Sequence, residues 1–318
     1  MPCPESCGRD VGETLNSRAI AVKPMNLTLN PYLQLMRLDR PVGTLLLLWP
    51  TLGALWMASD GFPDIALIVV FVTGTTLMRA AGCVVNDIAD RKFDGQVERT
   101  TQRPLASGAV ATKNALILFC GLVLAASALL GFLNPLTRWL AVAGLGIAVL
   151  YPFMKRWTYL PQVVLGAAFS WGLPMAFAAV QNAVPAVAWL AFVASLLWIV
   201  AYDTLYAMVD REDDLRIGIK STAILFGAAD RLMVGVLQIA ALVTFLLVGE
   251  QLEYQTFYFF GVGCAACLFV YQQILIRARE REKCLQAFGN NVWVGFALFG
   301  GIVAEVHLAP VVASLVAV

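Results

Sequence analysis

The sequence predicts an all-α, polytopic membrane protein with about nine transmembrane helices. Three observations carry that prediction. Sixty per cent of the residues are hydrophobic and only 14% are charged, where a soluble domain has roughly 25% charged residues. Apolar runs of about 17–25 residues, enough for a helix to cross a bilayer, recur along the chain, and mean hydropathy is +0.76. The basic residues fall on alternate loops.

The runs lie near 43–59, 64–85, 114–133, 136–154, 161–180, 185–209, 232–249, 255–276 and 290–307. The first is short and contains Pro50; the second ends at a run of acids. The third and fourth are plain, joined at Asn134-Pro135, a dipeptide that reverses the chain. The fifth holds Pro174, and the sixth runs into a second set of acids. The seventh to ninth are plain again, with Cys264 and Cys267 in the eighth and the sole histidine, His307, at the end of the ninth. Pro50, Pro152 and Pro174 are expected to kink or end their helices, which a bundle lining a cavity tolerates.

The N-terminal side and every second loop hold Arg37 and Arg40; Arg91, Lys92, Arg99, Arg103 and Lys113; Lys155 and Arg156; Arg211, Arg216, Lys220 and Arg231; and Arg277, Arg279, Arg281 and Lys283. The intervening loops hold only Arg138. The positive-inside rule therefore predicts a cytoplasmic N-terminus, both acidic sets on the cytoplasmic face and the C-terminus outside. Residues 1–24 are polar and contain Glu5, Asp10 and Glu13, unlike a signal or transit peptide. They read as a disordered tail, or as sequence upstream of a start at Met25, leaving 25–318 as one transmembrane domain of two four-helix halves plus a ninth helix. A bacterial inner membrane is the expected location.

The two acidic sets share a four-residue stagger: Asn86, Asp90 and Asp94 in one, Tyr206, Asp210 and Asp214 in the other. On a helix, residues at i, i+4 and i+8 form one stripe. Two carboxylates about 5.5 Å apart repel by roughly 3 kcal/mol at an effective dielectric of 20, and a helix C-terminus disfavours anions. A divalent cation removes both penalties. Oxygen ligands without Cys or His select a hard ion, Mg2+ first, and Mg2+ held by a few carboxylates accepts phosphate oxygens in its remaining positions. Asp87 stands beside the first stripe, and Asp203 precedes the second within a span; Glu212 and Asp213 point elsewhere and are expected to be solvated. Arg103 in RPLASG and Lys220 in GIKSTA sit in Gly/Pro/Ser-containing turns suited to an anion pocket. No G-x-x-x-x-G-K-[ST] is present, which argues against P-loop nucleotide hydrolysis. With its one histidine at the far end, the chain lacks the residues for Ser-His-Asp or His-rich zinc chemistry beside the acids. Cys264 and Cys267 read as small core residues rather than a metal pair. Trp49, Tyr151, Phe153, Trp171 and Phe177 are candidates to line a cavity, or simply belts at the membrane interface.

At NDIADRKFD, RPLASG, YPFMKR and AYDTLYAMVDREDDLRIGIKSTA the sequence resembles the UbiA superfamily of intramembrane prenyltransferases, from about Pro31 onward. The resemblance implies nine helices around a central cavity open to lipid, and Mg2+ bridging aspartates to a polyprenyl diphosphate. It assigns Asn86, Asp87, Asp90 and Asp94 to one metal motif and Asp210 and Asp214 to the other. Lys155, Arg156 and Lys220 fall to the diphosphate, where Arg103 is expected from its turn to join them, and Arg37 to the carboxylate of an aromatic acid. The expected reaction transfers a polyprenyl group to the ring carbon ortho to the hydroxyl of 4-hydroxybenzoate, in ubiquinone biosynthesis, with Asp203 as a candidate helper at the phenol. The implied partners are the two substrates and the lipid bilayer, without nucleic acid or an obligate protein partner. The alternatives are another aromatic acceptor, or an ion-coupled transporter, which would place acids near the bilayer midplane on inverted halves.

Overall fold

The computed structural model describes residues 30–59, 61–91, 94–96 and 100–316; residues 1–24, Lys92 and Arg99 lie outside them. The described chain is helical, with no strand among the described residues. A short α1 (Pro31–Leu35) leads into α2 (Val42–Ser59), α3 (Ile65–Asp90), α4 (Thr112–Leu129) and α5 (Pro135–Trp157). Then come α6 (Pro161–Ser170), α7 (Gly172–Gln181), α8 (Ala186–Ile217), a single-turn α9 (Thr222–Phe226), α10 (Asp230–Gln251), α11 (Thr256–Leu275) and α12 (Arg281–Val316). Among the described residues nine helical stretches are long and apolar enough to cross a membrane, with α6–α7 and α9–α10 each counting as one. The protein is a multi-pass membrane protein.

Local chemistry sets the helix ends. Asp64 accepts from Ala66 N–H at 2.7 Å to start α3, and Asn134 accepts from Thr137 N–H at 2.9 Å, with Pro135 at the first position, to start α5. Of the three expected proline effects, one is pronounced. Pro174 lies four residues after Ser170, where its ring excludes the helical carbonyl bond, and there the fifth span divides into α6 and α7. Pro50 and Pro152 leave α2 and α5 continuous.

The core is built on α8, whose Trp198, Ile199, Tyr202 and Leu205 are fully buried among α2, α6, α10 and α12. α11 and α12 meet closely enough that a Cβ on Gly261 would lie 2.7 Å from the Ala297 carbonyl oxygen, the close backbone approach small residues permit in membranes. Polar side chains brace these helices internally. Gln238 Nε2 donates to Gln272 Oε1 at 2.8 Å, and Gln272 Nε2 to Asn290 Oδ1 at 3.0 Å. Glu305, far from the acidic sets, accepts from three backbone amides, Gln255, Phe257 and Tyr258, at 2.8–3.0 Å and so caps α11. Cys267 is exposed and Cys264 only half-buried, so the pair is less of a core feature than the sequence reading had it.

α4 packs on α3 but hardly on α5. Between them, floored by α2 and α7, runs a largely apolar groove of about 230 Å³ whose walls include Val123, Ala126, Leu145 and Ala148.

Candidate active site

At one end of the bundle a polar cavity of about 200 Å³ opens where α3, α5, α6 and α8 converge. Asn86, Asp90 and Asp94 line one side, and Asp203, Tyr206, Asp210 and Asp214 the other. The two acidic sets thus face a shared space.

They reach it differently. The second set is a true helical stripe: 203, 206, 207, 210 and 214 share one face of α8, which ends at Gly218. That glycine has φ +74, a left-handed turn a side chain disfavours. The turn lays the next segment against α5, where Lys220 N–H donates to the Lys155 carbonyl at 3.0 Å. The Lys220 ammonium donates to Trp157 O at 3.2 Å and rests over the Tyr159 ring, 5.3 Å from its centroid. The first set is not one continuous stripe, because α3 ends at Asp90 and Asp94 arrives on a 3-10 turn, Asp94–Gln96. Thr100 Oγ1 holds that turn by donating to Asp94 O at 2.8 Å. Arg103 Nη1 grips the Asp94 carboxylate at 3.0 and 3.1 Å.

Lys155 reaches across from α5 to bond Asp90 Oδ2. Asp90 is 3% exposed, and its Oδ1 is buried with no hydrogen-bond partner among the described residues. A carboxylate oxygen withheld from both water and protein donors is costly, and a cation beside it would remove that cost.

Other candidates stand outside the cavity lining. Asp87 is fully buried and shared by two guanidiniums, Arg37 Nη2 at 2.9 Å and Arg103 Nη1 at 3.2 Å. Arg37 is thereby engaged, and does not line the cavity. Arg156 is exposed, donates to Ala89 O at 2.7 Å and lies over Phe153. Arg211 bonds Asp230, which also takes Arg279, pinning the end of α8 to the start of α10. Glu212 is exposed as expected, whereas Asp213 is buried and lies within 4 Å of Arg216 and Arg281. Its burial corrects the expectation that it is solvated; α12 starts close enough to cover it. Of the aromatics, Tyr151 lines both the polar cavity and the apolar groove, and Trp171 lines the groove. Trp49 stacks on Phe299 and Phe177 is buried in the core.

The sequence reading passed over Arg79. This arginine lies inside the apolar α3, lines the groove near Tyr151, and sits over the Phe169 ring at 5.6 Å. The signal was available: an ionisable residue within a span is a functional candidate by default.

Among the described residues no three carboxylate, thiolate or imidazole groups cluster tightly enough to cage a metal unaided. Mg2+ does not require such a cage, since it is bound through one or two carboxylates together with phosphate and water oxygens. The all-oxygen donors and the orphaned Asp90 Oδ1 fit that ion.

The sequence profile of the UbiA prenyltransferase family matches residues 47–300. A curated protein of Alcanivorax borkumensis, a 4-hydroxybenzoate octaprenyltransferase, is 59% identical over 275 residues, covering 86% of this chain and 95% of its own. The protein of the same name from Aeromonas hydrophila is 58% identical over 272 residues, with the same coverage. Among solved structures, a UbiA homolog from Aeropyrum pernix K1 superposes with TM-score 0.73 at 24% identity, covering 82% of this chain and 97% of its own. A UbiA homolog from Archaeoglobus fulgidus bound to GPP and Mg2+ gives 0.65 at 17% identity, covering 86% and 100%. These two likenesses establish the shared fold.

Proposed function

The chain belongs to the UbiA prenyltransferase family, and from that premise we propose that it transfers a polyprenyl group from its diphosphate to 4-hydroxybenzoate, at the ring carbon ortho to the hydroxyl. The observation that carries this reading is that one side chain, Tyr151, lines both an acid-lined polar cavity and an apolar groove, so the two spaces adjoin. An amphipathic substrate with a diphosphate head and an isoprenoid tail matches both halves. The site faces the cytoplasm of a bacterial inner membrane, in keeping with the basic residues around it.

Asn86, Asp90 and Asp94 on one wall and Asp210 and Asp214 on the other would hold Mg2+. Bound there, the ion supplies Lewis-acid stabilisation of the leaving diphosphate. Lys155, Lys220 and Arg103 border the same space and stabilise the negative charge that grows as the allylic C–O bond breaks. The allylic carbon, becoming cationic, then lies at the apolar junction, where the Tyr151 ring can stabilise it and water is scarce. The ortho carbon of the acceptor attacks, forming the C–C bond, and the ring proton leaves. Asp203, which lines the cavity a turn and more before Asp210 on α8, would assist at the phenol.

The acceptor's carboxylate requires a cation inside the junction. Arg37, the candidate from sequence, bonds Asp87; Arg79, which lines the groove with Tyr151, is a second candidate. Arg79→Leu is expected to raise KM for 4-hydroxybenzoate by about ten- to a hundredfold, the worth of a charge-assisted bond, with KM for the diphosphate little changed. A rise for the diphosphate alone would assign Arg79 to the other substrate.

The direct test of the function incubates membranes containing the protein with labelled 4-hydroxybenzoate, a polyprenyl diphosphate and Mg2+. Prenylated product is expected, lost on adding EDTA and restored by excess Mg2+. A panel of other phenolic acceptors reads out the competing possibility, and no product from 4-hydroxybenzoate would overturn the acceptor assignment. A transporter finds little support, because all the cavity acids but Asp203 lie at one end of the bundle rather than at its middle.

A further inference from the structure

Gln162 stands in the first turn of α6, 7% exposed, and lines the polar cavity beside Lys220 and Ser221. Thr222 N–H, at the start of α9, donates to Gln162 Oε1 at 3.0 Å. A backbone N–H can bond only the carbonyl end of an amide, so this contact fixes which way the group is turned. Nε2 is the opposite end, with two N–H donors and no partner among the described residues. It is also absent from the polar atoms sealed in protein without a partner, a set that includes Asp90 Oδ1 and Tyr202 Oη. Nε2 therefore retains accessible surface, and the open space beside this residue is the cavity. The start of α6 adds to the same field. Its N-cap, Leu160, offers no side-chain acceptor, Pro161 has no N–H and Val163 N–H bonds the Leu160 carbonyl at 3.2 Å, so what this end adds is the positive pole of the helix.

We propose that Gln162 binds the polyprenyl diphosphate, donating from Nε2 to a non-bridging phosphate oxygen while Thr222 locks the amide in that orientation. This rests on the diphosphate-dependent reading above. A diphosphate offers acceptors only, and of its neighbours on this side Lys220 is a cation on a flexible stem and Ser221 a short hydroxyl. A pinned, neutral donor contributes direction where those contribute charge. It also ties binding to α9: the contact that orients Gln162 comes from the segment that follows Lys220 and Ser221, so these three would engage the anion as one unit.

Two substitutions separate this role from mere bracing of α9. Gln162→Met removes both donor and acceptor at similar volume; Gln162→Glu removes the donor but keeps an acceptor for Thr222. Binding of inorganic pyrophosphate with Mg2+ is measured on the purified protein without any acceptor, alongside KM for both substrates and the melting temperature in detergent. Both variants are expected to bind pyrophosphate about ten- to a hundredfold more weakly. KM for the polyprenyl diphosphate should rise in step, with KM for 4-hydroxybenzoate unchanged. Wild-type pyrophosphate affinity in Gln162→Glu would overturn the assignment, leaving the residue a brace for Thr222. So would equal increases in KM for both substrates, which would signal a deformed cavity. Because pyrophosphate binding needs no acceptor, this result is independent of whether 4-hydroxybenzoate or another phenol is prenylated.

Discussion

Replacing Asp90 or Asp210 with alanine is expected to lower turnover by about three orders of magnitude or more, with the protein still inserted and folded in the membrane. Losing a carboxylate that anchors a catalytic metal removes several kcal/mol of transition-state stabilisation, and each 1.36 kcal/mol is about tenfold in rate. The two residues lie on opposite walls of the polar cavity, one at the end of α3 and one on α8. If each wall acted alone, one variant would keep much of the activity. A diphosphate gripped from both sides requires that both fail. Asp90→Asn sharpens the test, since it keeps the volume and a carbonyl oxygen but loses the charge that draws a cation to the orphaned oxygen. Turnover by purified protein, together with its detergent melting temperature, checks the prediction. Near-normal activity in either alanine variant refutes the metal assignment.

The span count and the acidic sets were legible because both are one-dimensional signals. Hydropathy integrates over about 20 residues, and a four-residue stagger needs only the helical period. Helix α8 continued through its acids to Gly218, and there the stripe held to Asp214. Helix α3 did not, and the period alone could not say that Asp94 would arrive on a 3-10 turn held by Thr100 and Arg103. Asp87 and Asp90 are three residues apart with similar local sequence, yet one is buried against Arg37 and Arg103 while the other lines the cavity. What separates them is a guanidinium 50 residues upstream in α1's exit turn, a tertiary fact. Arg79 was obscured for a different reason: averaging over a strongly apolar span hides one charge. Gln162 carries no local signal, because its role depends on where α9 places a backbone N–H.

Lys155→Met is expected to lower kcat/KM for the polyprenyl diphosphate by about 10²- to 10³-fold, the cost of removing one preorganised donor to developing negative charge. It should also lower the Mg2+ concentration needed for half-maximal rate. The second effect follows from what Lys155 does in the structure, where its ammonium bonds Asp90 Oδ2. That carboxylate is 3% exposed, so the ammonium and a metal ion compete for one buried anion. Removing the ammonium leaves Asp90 more available to the ion, while the diphosphate loses a cation on the α5 side. Tighter Mg2+ dependence with slower chemistry is an unusual pairing, and a simple packing defect would not produce it. Adding Asp90→Asn to Lys155→Met removes the unpaired charge, so it should recover melting temperature lost in the single variant without recovering turnover. Initial rates across an Mg2+ titration for the three proteins measure all of these. A half-saturating Mg2+ concentration that rises in Lys155→Met would show that the lysine assists metal binding instead of opposing it. An unchanged maximal rate would place the lysine away from the breaking bond. The same pairs give the site its charge balance, since Lys155 and Arg103 neutralise acids that would otherwise repel one another. A bound diphosphate would offer those cations another anion, and Asp90 and Asp94 would then be free to hold Mg2+, so neither carboxylate need be left without a cation.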